Sequence, residues 1–124
     1  MNRLNKAVSV LVLSACATAA TATEKPDHFK GKESRTLQEA VVNFAEYNAK
    51  LAYIVAKDEL SGADMAEVHE LTYTIENALA KINEATETMA VDLEEVHLAS
   101  ESADVETVKS RGKKFLESAK ILID

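Results

Sequence analysis

The chain has 124 residues, which is room for one small domain. Three glycines and one proline are too few for the tight turns of a hairpin-built sheet, and abundant alanine, glutamate, leucine and lysine favour helix. A formal net charge of −7 argues against nucleic acid, which demands a basic face, and against electrostatic docking on anionic lipid.

Residues 1–22 read as an export signal. Arg3 and Lys6 form a short positive region, residues 7–13 (AVSVLVL) an apolar one, and Ala20-Thr21-Ala22 a small-x-small cleavage site. The apolar run is too short to span a bilayer, which takes about 20 apolar residues. A second reading competes. Leu13-Ser14-Ala15-Cys16 resembles the bacterial lipobox, in which the cysteine becomes the lipidated first residue. The good cleavage site six residues beyond Cys16 favours cutting after Ala22. Either route places the protein outside the cytoplasm: in the periplasm, or lipid-anchored to the envelope through Cys16. Cleavage after Ala22 removes two basic residues and the only cysteine. The mature domain is then more acidic still, has no disulfide, and depends on packing alone.

Residues 23–35 form a polar leader that contains the only proline, Pro26, and Gly31. Asp27-His28-Phe29 is either a small docking element or, on the simpler reading, a place where Phe29 pins the leader to the helices.

The first helix is predicted over about 36–58. Thr36 and Glu39 have the spacing of a capping box. Leu37, Val41, Phe44, Leu51 and Val55 recur by threes and fours, with Asn48 filling the missing step; Ala40, Ala45, Tyr47, Ala52 and Ile54 flank the line, a stripe wide enough to want neighbours on more than one side. The second helix is predicted over about 62–100, with Ser61 as N-cap and Asp64 at the third helical position. Its apolar seam runs from Met65 to Ser100 in one phase, uninterrupted by glycine or proline. With Met65 at heptad position a and Val68 at d, the seam is Met65, Thr72, Leu79, Thr86, Leu93 and Ser100 at a. Val68, Ile75, Ile82, Met89 and Val96 hold d. Taken whole it is one helix of about 57 Å. A break near 83–88 would instead give a four-helix up-down bundle. The third helix, about 104–123, is capped by Ser102 or Asp104 and carries Val105, Val108, Gly112, Phe115, Ala119 and Leu122 on its seam. Gly112 costs about 1 kcal/mol against alanine there, so a close helix approach or a bulky neighbour is expected. Lys109, Lys113 and Lys120 lie off the seam, as solvated residues do.

The fold expected over residues 36–124 is an all-α antiparallel helical bundle with a long central helix. The first helix folds back on its first half and the last helix on its second. Two layers leave apolar surface uncovered, including Val91 and Leu98 on the back of the long helix. Self-association or bundle closure would cover it.

The triplet Glu-Val-His occurs at residues 67–69 and 95–97. Glu94 and His97 have the i, i+3 spacing used by di-iron bundles, and His69 lies one turn from Tyr73. A di-iron site needs a second such pair and two further glutamates, yet Ala66 occupies the matching position before His69. On one helix His69 and His97 lie about 42 Å apart. Position g holds Leu71, Ala78, Ala85 and Ala99, with Asp92 the exception, so the apolar face leans toward g; both histidines occupy position e, its polar rim, as structural histidines do. No phosphate loop, His-Glu-x-x-His motif or surviving cysteine nucleophile is present. The residues themselves point to no enzyme and no cofactor.

The segments PDHFKGKES, HELTYTIENALAKI and LEEVHLAS resemble a family of small exported proteins of Gram-negative bacteria, a domain of unknown function. The resemblance runs from Pro26 onward. It implies an exported helical domain whose mature start lies just before Pro26. The stretch HLASESADVETVKSRGKKFLESAKIL is similar, more weakly, to the last loop and helix of soluble periplasmic b-type cytochromes. Those ligate haem with a methionine in the first helix and a histidine in the last, and this chain has neither. The expected function is that of a non-enzymatic periplasmic protein that binds a protein partner or assembles with itself. The alternative is a metal- or haem-binding bundle using His69 and His97, with Glu94.

Overall fold

The computed structural model describes residues 29–123. The expected export signal, with Cys16 and the expected cleavage site after Ala22, lies outside the described residues, as do Pro26 and Asp27-His28. Those described form three helices and no strand: α1 (Leu37–Val55), α2 (Gly62–Glu101) and α3 (Val105–Ile123). None is long and apolar enough to cross a membrane.

Side-chain caps set where each helix starts. The Glu39 amide donates to Thr36 Oγ1 at 3.1 Å, while the Glu39 carboxylate accepts from the amide of Arg35, one residue before the cap, at 2.8 Å. At Ser61 the box is complete: the Asp64 amide donates to Ser61 Oγ at 3.2 Å and the Ser61 amide to Asp64 Oδ2 at 2.8 Å. Lys57 adds a 2.6 Å ion pair to the same carboxylate, across the loop that joins α1 to α2. For α3 the cap is Asp104, whose Oδ1 accepts from the Thr107 amide at 3.1 Å; Ser102 turns its hydroxyl back onto α2 instead. Ser61→Ala is expected to cost about 1 kcal/mol in thermal unfolding.

A pH dependence follows from the same box. The Lys57 ammonium first, and then the Ser61 hydroxyl and amide, hold the Asp64 carboxyl well below the usual carboxylate range. A depressed folded pKa means the stabilisation is complete above the unfolded value near 3.8 and is lost as pH falls below it. The stability difference between the parent and Asp64→Asn should therefore be largest at neutral pH and shrink on acid titration.

α2 is continuous for 40 residues, about 60 Å. The four-helix alternative with a break at 83–88 is therefore overturned. Nothing there competes with the helix. The Thr86 and Thr88 hydroxyls donate to the carbonyls of Asn83 and Glu84 on their own helix, at 2.9 and 3.0 Å. α1 and α3 both pack on α2 and meet each other far less.

The face α2 turns inward is the g flank toward which the sequence leans, not the a line of the seam. Its buried residues are Leu71, Thr74, Ala78, Asp92 and Ala99, and four of these occupy position g. Position d is half-buried beside them, and Met65, Leu79 and Leu93 at position a stay exposed. The physical reason is side-chain size. Alanine at 78, 85 and 99 lets the neighbouring helices approach, whereas the bulkier a residues would hold them off. Asp92 is tolerated on this line because Arg111 Nη1 of α3 pairs with it at 2.8 Å. In α1 the buried residues are Asn43 and two of the apolar flanking residues, Ala40 and Ile54, beside rather than on the line from Leu37 to Val55; Asn48 is only half-buried. Gly112 does not mark a close approach either. A Cβ there would meet only Val96 Cγ2, at 3.9 Å.

Residues 29–36 form a strap held by side chains of α1 and α2. The Lys32 amide donates to Thr74 Oγ1 at 2.9 Å. Asn77 Nδ2 donates to the carbonyls of Lys30 and Lys32 at 3.0 and 3.2 Å. Asn43 Nδ2 donates to the Glu33 carbonyl and Ser34 Oγ at 3.2 and 3.0 Å. Phe29 packs against Tyr73 with ring centroids 5.9 Å apart, so it does pin the leader.

Candidate functional site

The core is small. Among the described residues only Ala40, Ile54, Leu71, Ala78 and Ala99 are fully buried apolar side chains, and three of those are alanines. Much of the apolar periodicity legible in the sequence is thus not consumed inside the chain. It surfaces as a face along α2 and α3, where Met65 is 55% exposed, Leu79 44%, Leu93 49% and Leu116 65%. Apolar exposure along regular helices makes this face the candidate site among the described residues.

The face is best formed beside the second half of α2. One groove of about 640 Å³ lies between α2 and α3, with Val96, Val108, Gly112 and Leu116 along its apolar floor. The missing side chain at Gly112 keeps that floor open. A second groove adjoins it on α2 and shares Val96, with Ala90 and Leu93 on its floor. The two edges differ in charge. On the α3 side stand Lys109, Lys113 and Lys120, with Glu117 among them 3.8 Å from Lys113. On the α2 side stand Glu94 and His97. The three lysines read from the sequence as merely solvated thus border apolar surface. Their spacing of four and seven residues from Lys109, Lys113 to Lys120 could have signalled an edge, but only the position of α3 on α2 shows what the edge borders.

The residues singled out for chemistry are not brought together. His69 Nε2 lies 3.4 Å from the Tyr73 hydroxyl, with the rings edge to face at 5.2 Å, next to the strap. His97 Nε2 lies 3.5 Å from Glu101 Oε1 on its own helix. Glu94 and His97 line the same groove. The unbroken α2 holds His69 and His97 about 42 Å apart, so one chain cannot close a site on both. Among the described residues no three His, Cys, Asp or Glu side chains converge as metal ligands. Cys16 lies outside the described residues.

Comparison with known proteins gives a family without an assigned role: the model of a family of unknown function (DUF6746) matches residues 1–124. This chain belongs to that family. No curated protein and no solved structure matches it. Family membership therefore brings no activity, and the site's chemistry is all that speaks to what this DUF6746 member does.

Proposed function

We propose that this chain is a non-enzymatic helical protein, exported to the periplasm, that acts by binding a helical surface, its own or a partner's. The apolar face of α2 and α3 carries the reading: well-exposed leucine and methionine side chains stand on rigid helices above a core of mostly alanine. Such a face is stable in water only when its exposed area is small or its occupant is near.

Sedimentation of the purified protein at micromolar concentration tests the binding part. An assembly is expected; a stable compact monomer that leaves its α2 face uncovered in the presence of periplasmic extract would count against it. Export is read separately, by intact mass of the protein recovered from the periplasm. A chain beginning near Thr23 is expected, and a diacylated or triacylated Cys16 would instead make it an envelope lipoprotein. For the metal- or haem-binding alternative through His69, Glu94 and His97, the useful measurement is ligand content before and after His69→Ala and His97→Ala.

A further inference from the structure

We propose that position a of α2 is the seam of a parallel, in-register homodimer whose two-fold axis runs along the helix. The inference rests on the interaction reading above and names the occupant of the face as a second copy of this chain. Two independent observations choose that occupant and its orientation.

The first is charge. The apolar face has a net basic edge on α3, three lysines with Glu117 among them, and an edge with Glu94 and His97 on α2. A two-fold axis lying along the helices turns the basic edge of one copy onto the Glu94 edge of the other. An axis across the helices would set lysine on lysine. The heights also match. The Asp92–Arg111 pair fixes the register of α3 against α2. Counting two residues from each places Glu94 and Lys109 close to one level, since the helices run antiparallel. The bias extends along the elements: α2 has ten acidic residues against Lys81, while α3 has five basic against Glu106 and Glu117.

The second observation is the composition of position a, which alternates Met65, Thr72, Leu79, Thr86, Leu93 and Ser100. The three hydroxyls on this line are already committed to their own helix. Thr72 Oγ1 donates to the His69 carbonyl at 2.8 Å, Thr86 to that of Asn83 at 2.9 Å, and Ser100 to that of His97 at 2.6 Å. Covering the line therefore strands no hydroxyl donor. In a parallel pair position a packs on its own counterpart, so leucine meets leucine and threonine meets threonine. Half-buried position d completes the seam. Two copies then present four helices at every level: both α2 helices throughout, flanked by both α1 in one half and both α3 in the other.

The full chain, as the cell matures it, is suited to the test. Met65→Cys and Leu93→Cys are each made singly, mildly oxidised, and their disulfides located by peptide mapping so that Cys16 does not confuse the result. Both variants are expected to crosslink to themselves at the new position. The two sites are about 42 Å apart on α2, so an antiparallel pair can bring at most one of them onto itself. Leu93→Glu should weaken the dimer about thirtyfold or more. Glu94→Lys and Lys109→Glu should each weaken it a few-fold, and together restore it. Crosslinking at one position alone overturns the orientation and leaves the interaction reading standing. A dimer indifferent to Leu93→Glu and to the charge reversals overturns the choice of face. A monomer at all concentrations overturns the dimer together with the self-assembly half of the proposed function.

Discussion

Gly31→Ala is expected to lower unfolding stability by about 3 kcal/mol, because no side chain fits where the strap crosses α2. Gly31 has φ of +69°, where an L-residue costs about 1–2 kcal/mol. A Cβ there would lie 2.7 Å from the Thr74 backbone nitrogen and 2.8 Å from the Tyr73 carbonyl carbon. Those atoms belong to the backbone of α2 and cannot yield. The strap must lift, and the bond from the Lys32 amide to Thr74 is lost with it. Thr74 is fully buried, so its hydroxyl is left to find water. Chemical denaturation at fixed protein concentration measures the loss, and hydrogen exchange should show the Lys32 amide deprotected. Gly62→Ala is the matched control. Nothing lies within 4 Å of a Cβ there, and stability should be unchanged or slightly raised.

Ile54→Ala should cost about 3 kcal/mol, within the range of about 2–5 kcal/mol for such truncations in packed sites. Ile54 is the largest fully buried side chain among the described residues. The cavity it leaves would lie between α1 and α2 near the loop that the Lys57–Asp64 pair holds together. A domain of this size is worth only about 5–15 kcal/mol in all, so a midpoint shift in urea should be plain. Val55→Ala, next in sequence but exposed, should move the midpoint little.

The helices were legible because local chemistry decides them. Thr36, Ser61 and Asp104 are caps whose side chains satisfy amides within three residues, and such contacts leave a signature in sequence. The continuity of α2 was legible from its unslipped phase. The lean of its apolar face toward position g was legible too, but not that the bulky a line would stay outside. The bulky residues at position a dominate the pattern, yet Met65, Leu79 and Leu93 are exposed while Ala78 and Ala99 are buried, because close approach rewards small side chains. The strap was not legible at all beyond Phe29. Asn43, Thr74 and Asn77 bind backbone more than thirty residues away or, for Asn43, across the turn into α1, and polar residues on a helix look alike whether they hold a strap or water. The lysine edge was missed for a related reason. Lys109 reads as solvated until the groove beside it is seen.

The sparse contact between α1 and α3 has a consequence for how cooperatively the molecule unfolds. Each half is a local hairpin closed on a shared rod, and the two halves are coupled mainly through that rod. They are unequal. The α1 half has the strap and three fully buried residues on α1, whereas α3 has no fully buried side chain. α3 can therefore detach as a subglobal unit while the α1 half stays folded. Such an opening would bare the other side of Val96, Ala99 and Asp92, and would remove the lysine edge from the face in the same step. The chain thus carries its weakest packing in the half where its candidate binding surface is best formed.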